Sequence, residues 1–223
     1  MVEAARALGA PAATLSTWTR GCTRRRSGRT DTIGDSMLTA LEAPPGEPSI
    51  PFVGLAEGML LAAVRRVGIP LKRVRPALEF LAQEIGVSHV FASKKLYTDG
   101  AEILFEYSSS APADEAEAID GLVVVQRRRH VFKGVLLDNL NRITYAEDGF
   151  ASVIKLPAFE YAEVIADPHR AFGQPIFALG ATRVNDVLER FWSGEDIDSL
   201  VREFGVPKSD IEDVLRTTSR QVA

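Results

Sequence analysis

Apolar residues recur at helical spacing in three short segments near the end of the chain, separated by two breaks that contain glycine. Each segment places its apolar residues three and four positions apart, which lines one face of an α-helix. The positions are Val184, Val187, Leu188 and Phe191 in the first segment, Ile197, Leu200, Val201 and Phe204 in the second, and Ile211, Val214 and Leu215 in the third. Gly205 is expected to end the second helix. Pro207 is expected to open the third, with a capping box from Ser209 to Glu212.

These three predicted helices with tight joints describe a helix-turn-helix-like bundle. The second and third helices, joined at residues 205–207, have the spacing of a helix-turn-helix. A bundle of this kind packs against the rest of the chain, binds a protein partner or reads DNA. The spacing alone leaves these alternatives open.

The first twenty residues predict another helix-turn-helix at the opposite end of the chain. Ala5 and Leu8 lie on one face of a first helix, and residues 9–11 make a turn with glycine and proline. Leu15 and Trp18 line the inner face of a second helix. Its outer face then carries Thr14, Ser16, Thr17 and Arg20. Such a face can enter a DNA major groove, although an ordinary helical hairpin shows the same pattern.

Arginines cluster directly after this second helix. Residues 1–34 contain six arginines against two acids, whereas residues 158–223 contain twelve acids against seven basic residues. Arg24, Arg25 and Arg26 fit a β-wing or loop that lies along DNA phosphates, and such binding would fall steeply with salt. A solvated charge run is the alternative. A second basic strip, which supports DNA binding or only solvates its helices, consists of Arg65, Arg66, Lys72, Arg73 and Arg75.

The middle of the chain mixes helical and strand-like patterns. Helices are predicted at residues 50–66, 71–85 and 131–140, strands at 89–97, 102–107, 122–125, 142–145 and 151–156, a linker at 30–49 and a loop at 108–120. The first three strands would form one small sheet over the first two helices. The predicted fold is therefore α+β and mostly helical. Its parts are a DNA-binding module at 1–125, a connecting β-hairpin region at 126–160 and a C-terminal helical domain at 161–223.

The composition of the chain indicates its cellular compartment. The chain has 223 residues and one cysteine, Cys22, so an internal disulfide is excluded and a reducing cytoplasm is expected. The longest apolar run, residues 53–64, contains Glu57 and is too short to span a bilayer. No signal-peptide pattern is visible. The sequence predicts a cytoplasmic protein without a membrane partner.

Motifs for catalysis are not found. The three histidines are far apart in sequence and lack metal-ligand spacing, and no phosphate-binding glycine motif or nucleophile elbow occurs. The acids that suggest a magnesium nuclease site, Asp186, Glu189, Glu195, Asp196 and Asp198, fall on the polar sides of amphipathic helices. We therefore predict a non-enzyme that needs no cofactor and no metal.

Two stretches resemble known families. The small-residue helix, glycine turn and Thr14-Leu15-x-x-Trp18 resemble the helix-turn-helix of MerR-like regulators. Residues 173–176 (Gly-Gln-Pro-Ile), 180–184 (Gly-Ala-Thr-Arg-Val) and 193–195 (Ser-Gly-Glu) resemble a family of small antitoxin-like helical domains with a G-T-R-[IV] motif. Ala181 is a departure, because the family runs glycine directly into threonine. Together the two ends resemble VapB-type antitoxins of bacterial type II toxin–antitoxin pairs.

This resemblance implies a protein that binds a PIN-domain ribonuclease toxin, blocks it and represses its own operon. It implies a winged, MerR-like module that binds operator DNA as a homodimer. Candidate toxin contacts are Arg170, Phe172 and Arg183, because an inserted arginine suits the acidic active site of a PIN domain. Alternatively, Arg183 only ties the bundle together. A stand-alone MerR-like regulator without a toxin, and a plain interaction scaffold, are the other two hypotheses.

Overall fold

The computed structural model describes residues 1–26, 29–34, 36–44, 49–126 and 129–220, without the side chains of 22–34, 129 and 220. The helices are α1 (Val2–Leu8), α2 (Ala12–Arg20), α3 (Phe52–Arg66), α4 (Leu71–Ile85), α5 (Lys94–Ser108), α6 (Ala113–Asp120), α7 (Gly134–Leu140), α8 (Val184–Trp192), α9 (Ile197–Phe204) and α10 (Lys208–Arg220). The strands are β1 (Cys22–Arg26), β2 (Arg29–Gly34), β3 (Val123–Gln126), β4 (Arg129–Phe132), β5 (Ile143–Tyr145), β6 (Ala151–Lys155), β7 (Val164–Ala166) and β8 (Ile176–Phe177).

The described strands form three antiparallel sheets. β1 pairs with β2, β3 pairs with β4, and a four-stranded sheet has the order β5-β6-β7-β8. Together with the helices they give an α+β fold, as predicted. The four-stranded sheet joins strands from both sides of residue 160, where the sequence predicts a domain boundary. That division into domains stays a prediction.

Helix α3 is the centre of the N-terminal half. Every residue from Gly54 to Val64 is buried, including Glu57. Helix α1, helix α7 and the 3₁₀ turn at Val90–Ala92 all contact it. Gly58 lets α1 approach closely, because a Cβ there would lie 2.6 Å from a methyl group of Leu8. An apolar helix buried on all sides is typical of the core of a domain.

The segment that follows β2 also crosses α3. The predicted linker at 30–49 is wrong over two parts of its described length, because residues 30–34 belong to β2 and Met37 and Leu38 are buried. Residues 45–48 of that predicted linker lie outside the described part of the chain. Gly54 permits the crossing, because a Cβ at that position would stand 2.1 Å from the carbonyl oxygen of Thr39.

Gly54→Ala is expected to lower the free energy of unfolding by about 1–3 kcal/mol, because the new methyl group collides with backbone atoms that cannot rotate away. Gly134→Ala is the matched control, since no heavy atom lies within 4 Å of its Cβ position. Urea titration of both variants measures the effect. Equal stability of the two would contradict the close crossing at Gly54.

The predicted strands at 89–97 and 102–107 are wrong. Residues 94–108 form helix α5, and the supposed hairpin glycine, Gly100, lies inside it against Phe132. The buried positions Leu96, Ala101 and Leu104 face α4 and β4, which is helical spacing. Tyrosine, isoleucine and phenylalanine favour strands by composition, but tertiary packing decides the structure here. The predicted loop at 108–120 is also wrong over Ala113–Asp120, which forms α6.

Other predictions for the middle of the chain are confirmed. The helices α3 and α4 and the β5–β6 hairpin lie where the sequence predicts them. The helix predicted at 131–140 is α7, which begins only at Gly134 because residues 131–132 belong to β4. The strand predicted at 122–125 corresponds to β3, but it pairs with β4 in a separate hairpin. The predicted three-stranded sheet is therefore wrong. Pro76 lies inside α4 without ending it.

Helices α8, α9 and α10 lie where the three apolar segments predict helices, and each contacts the other two. Arg190 joins α8 to α9, with 2.7 Å hydrogen bonds to both carboxylate oxygens of Glu195, a pair with Glu203 and a cation–π contact with Phe204. Hydrogen bonds to Glu203 and Glu195 raise the pKa of the Arg190 guanidinium.

The predicted capping box at Ser209 is wrong. Helix α10 begins at Lys208, and the Ser209 hydroxyl donates to the neighbouring Asp210. The observed side-chain cap belongs to α9, where the Asp196 carboxylate accepts hydrogen bonds from the N–H groups of Asp198 and Ser199. An aspartate at this position satisfies N–H groups that the first helical turn leaves free.

Candidate nucleic-acid and partner-binding surfaces

Helices α1 and α2 form the predicted helical hairpin. Gly9 adopts a left-handed conformation at φ 63° and ends α1, with its N–H turned back to the carbonyls of Ala5 and Arg6. Leu15 and Trp18 of α2 are buried. The hairpin therefore presents one face of α2 outward, as the sequence predicts.

The outer face of α2 is open. Thr17 and Arg20 are exposed, and Thr14 and Ser16 are half-buried at its edges. The Thr17 hydroxyl donates a hydrogen bond to the Ala13 carbonyl at 3.0 Å, so its donor hydrogen is already engaged within the helix. No hydrogen bond or ion pair of the Arg20 guanidinium occurs among the described residues. An exposed, small and polar helix face with one unpaired cation can fit a DNA major groove.

The β1–β2 hairpin follows α2 after a single residue, Gly21. Its backbone pairs Arg24 with Asp31, Arg25 with Thr30 and Arg26 with Arg29. The side chains of these arginines lie outside the described part of the chain. The hairpin backbone nevertheless places three consecutive arginines on a strand that begins two residues after the end of α2. Cations close in sequence to a recognition helix are suited to contact the phosphates that flank a groove.

The turn between α3 and α4 lies beside α2. A shallow groove of about 490 Å³ separates the two, lined by Thr14 and Trp18 on one side and by Arg65 and residues 68–71 on the other. Arg65 and Lys72 are exposed, and neither has a hydrogen-bond or ion-pair partner among the described residues. The groove beside α2 is thus lined by one exposed cation, Arg65.

The remaining members of the second basic strip are held by neighbours. Arg66 donates a 3.0 Å hydrogen bond to the Asn139 amide oxygen. Burial lowers the pKa of the Arg66 guanidinium, and the charge of Arg142 lowers it further. Arg73 lies 4.0 Å from Glu117, and Arg75 lies 3.5 Å from Glu79. Within the described ranges, the predicted strip therefore divides into two cations without a partner and three that contact neighbouring side chains.

A second surface surrounds Phe172. We call residues 167–175 the Phe172 turn. Ala171, Phe172 and Gly173 have φ values of 47°, 54° and 77°, so three consecutive residues are left-handed. Phe172 is 99% exposed, the most exposed of the large apolar side chains that the structure describes as exposed. Left-handed non-glycine residues cost free energy and are frequent at functional sites. The turn thus holds an aromatic ring out in solvent.

Arg170 belongs to the same turn. Its N–H donates to the Asp167 carbonyl at 3.0 Å, and the Gly173 N–H donates to the carbonyls of Asp167 and Arg170. These bonds fix the backbone on both sides of Phe172. The Arg170 side chain is exposed, and no hydrogen bond or ion pair of its guanidinium occurs within the described ranges. An unpaired cation therefore lies two residues from an exposed aromatic ring.

An apolar groove of about 280 Å³ runs beside the Phe172 turn. Its walls come from α1, Leu41, residues 49–51, the start of α3 and the turn itself, with Phe52 and Pro175 among the lining side chains. Leu41 is 58% exposed. Asn185 of α8 donates a 3.3 Å hydrogen bond to Glu3 of α1. The turn predicted as a partner site therefore lies against the first helix of the chain.

Arg183 has a different environment. It precedes α8, forms a β-bridge with Ile176 and pairs with Asp186 through two atoms, Nε at 2.9 Å and Nη2 at 2.8 Å. The pair is bidentate, the geometry in which arginine and carboxylate bind most strongly. Arg183 thus contributes to the local structure, which is the alternative that the sequence leaves open.

Four of the five carboxylates that suggest a metal site have separate partners. Asp186 pairs with Arg183, Glu195 with Arg190, and Asp198 with Lys208, while Asp196 caps α9. Among the described residues, no three His, Cys, Asp or Glu side chains form a group that could hold a metal ion. Nor is any described helix long and apolar enough to cross a bilayer.

Two buried acids have structural roles that the sequence does not reveal. Glu57 binds Thr39 and His89, and Asp213 accepts 2.9 Å hydrogen bonds from the N–H groups of Tyr161 and Ala162. Asp213 thereby ties α10 to the loop before β7. An acid within a run of buried apolar residues is the signal that could have revealed Glu57.

Comparison with known proteins adds three findings. Residues 1–78 match the family model described as "Putative DNA-binding HTH domain". "Putative antitoxin VapB45" of Mycobacterium tuberculosis is 38% identical over 218 residues, which cover 96% of this chain and 91% of that protein. The X-ray crystal structure of Rv2018 from Mycobacterium tuberculosis superposes with a TM-score of 0.82 at 36% identity, covering 96% of this chain and 95% of the other.

Proposed function

The chain belongs to the family of the antitoxin VapB45, and on that premise we propose that it binds and neutralises a PIN-domain ribonuclease toxin. We further propose that it represses its own operon as a homodimer. The observation that carries the DNA-binding part is the open face of α2, with exposed Arg65 across a groove from it, within the residues that match a DNA-binding helix-turn-helix domain. The PIN identity of the toxin rests on the family resemblance.

On DNA, the α2 helices of two protomers would occupy successive major grooves, about 34 Å apart on a palindromic operator. Thr14, Ser16, Thr17 and Arg20 would face base edges or the groove walls. The hairpin residues Arg24, Arg25 and Arg26 would contact phosphates on one flank. Arg65 and Lys72 would do so on the other flank, since both are exposed.

On the toxin, the Phe172 turn would provide the contact. Phe172 is a rigid aromatic anchor that the backbone already holds in place, so little entropy is lost when it enters a pocket. Arg170 would then reach the acidic cluster of the PIN active site as an unpaired cation. In this proposal Arg183 does not contact the toxin. Its role is structural, through its ion pair with Asp186.

The proposed DNA binding can be tested by fluorescence anisotropy, with a labelled duplex that carries the DNA upstream of the gene for this protein. We expect saturable binding whose affinity falls by more than about tenfold between 50 and 200 mM salt. Binding that is equally strong on an unrelated duplex, or insensitive to salt, would contradict operator recognition by this surface.

Arg183→Ala is expected to lower the free energy of unfolding slightly, by less than about 1 kcal/mol because the pair with Asp186 is largely exposed. Inhibition of the toxin should stay within about twofold of the wild type. Asp186→Asn, which breaks the same pair from the other side, is the control in thermal denaturation. Loss of inhibition by Arg183→Ala at an unchanged melting temperature would assign Arg183 to the toxin contact instead.

A further inference from the structure

Glu57 is a buried acid that the proposed contacts with DNA and toxin do not use. Its residue is 5% exposed, in a stretch of α3 where every neighbour from Gly54 to Val64 is buried. A carboxylate in such surroundings persists only where hydrogen-bond donors satisfy it. The donors therefore show what the residue is for.

Both oxygens of Glu57 are engaged. The Thr39 N–H donates to Oε2 at 2.6 Å, and the Thr39 hydroxyl donates to Oε1 at 3.1 Å. His89 Nδ1 lies 2.9 Å from the same Oε1. Two of the three contacts thus hold one residue, Thr39, which lies five positions after the end of β2.

The segment that carries Thr39 is attached to both helices of interest. Met37 donates a 2.9 Å hydrogen bond from its N–H to the carbonyl of Trp18 in α2. Leu38 packs over Gly58, and the Thr39 carbonyl passes over Gly54. The β1–β2 hairpin therefore leaves α2 at Gly21 and is fastened again, at its other end, to α2 and α3.

His89 closes the cluster from the far side. Its backbone is left-handed at φ 54°, which is strained for a residue other than glycine. The same Nδ1 that faces Glu57 lies 3.1 Å from the Thr39 hydroxyl. The strained backbone is thus accompanied by a ring that contacts both members of the Glu57–Thr39 pair.

We infer that Glu57 is a positioning residue for DNA binding: it fixes the base of the β1–β2 hairpin, whose first strand carries Arg24, Arg25 and Arg26. Glu57 contacts no DNA itself. The inference rests on the proposed DNA binding and adds to it the residue that sets the angle of the hairpin.

Glu57→Gln tests the role, because the amide keeps the size of the side chain but replaces one acceptor oxygen with a donor group. The probe is the labelled duplex of upstream DNA. We expect about tenfold weaker binding and a shallower dependence of affinity on salt. In a chain that already carries alanine at positions 24, 25 and 26, Glu57→Gln should weaken binding by no more than about twofold.

Asp213→Asn is the matched control for lost stability. Asp213 is also a buried acid that accepts hydrogen bonds, in its case from two backbone N–H groups, but it lies in α10. The Asp213→Asn variant should have a lower melting temperature, but the salt dependence of its DNA affinity should be unchanged. If Glu57→Gln does not fold, Thr39→Val replaces it, since it removes only the hydroxyl donor and should give a smaller loss of the same kind.

Two results would overturn the positioning role. One is that folded Glu57→Gln binds DNA with unchanged affinity. The other is that Glu57→Gln lowers the affinity equally in the wild-type chain and in the chain with alanine at positions 24, 25 and 26. A wild-type chain that binds no DNA would instead overturn the proposed function, and the positioning role would fall with it. The wild-type titration therefore separates the two failures.

Discussion

Replacing Arg24, Arg25 and Arg26 together with alanine is expected to weaken operator binding about a hundredfold at low salt. Each arginine that neutralises a phosphate releases counterions, and the slope of log affinity against log salt changes by about 0.9 per contact. Three lost contacts should therefore make the slope shallower by nearly three. The anisotropy titration, repeated at several salt concentrations, measures both quantities.

The control removes three cations outside the helix-turn-helix match: Arg142, Lys155 and Arg202. It changes the net charge of the chain by the same amount as the hairpin variant. If affinity depends only on overall charge, the two variants will weaken binding equally, and the hairpin has no special role. A steeper loss in the hairpin variant alone supports contact by β1.

Phe172→Ala is expected to weaken toxin binding by about 2–4 kcal/mol, which corresponds to roughly 30- to 1000-fold in affinity. Aromatic anchors give the largest effects in interfaces, and this ring is 99% exposed in the free chain. For the same reason the melting temperature should not fall, because the ring buries almost nothing in the unbound protein. Isothermal titration calorimetry with the purified toxin measures the affinity.

Trp192→Ala is the matched control, since Trp192 is another exposed aromatic residue, 61% exposed at the end of α8. It should leave toxin affinity within about threefold of the wild type. DNA affinity should be unchanged in both variants. Unchanged toxin affinity in Phe172→Ala would remove the Phe172 turn from the proposed interface.

Helical spacing allowed the two ends of the chain to be predicted well. In α2 the inner residues Leu15 and Trp18 are buried, and in the C-terminal helices Val187, Leu200 and Val214 are buried as their spacing predicts. These helices are amphipathic, so the period of 3.6 residues is visible in the sequence. The exposed outer face of α2 follows from the same spacing.

The middle of the chain could not be predicted in this way. Helix α5 contains tyrosine, isoleucine and phenylalanine at positions that suit a strand, and only its packing on α4 and β4 selects a helix. Strands β7 and β8 have three and two residues, too few for an alternating pattern to appear. Their pairing is set by the sheet that they join.

Two features of the candidate sites depend on contacts between distant residues. Glu57 is separated by 18 positions from Thr39 and by 32 from His89, so the sequence shows it only as an interruption of an apolar run. The left-handed conformation of Phe172 is also hidden, since a phenylalanine has no local preference for it. The family resemblance made Phe172 a candidate toxin contact. Only the structure shows that its ring is exposed to solvent.

The central claim is that this chain silences a ribonuclease. The most direct measurement is co-expression with the product of the adjacent gene, followed by size-exclusion chromatography and a ribonuclease assay of the separated fractions. We expect the two proteins to elute together and the complex to cleave RNA far more slowly than the neighbour alone. Separate elution, or a neighbour without ribonuclease activity, would contradict it and favour a stand-alone regulator.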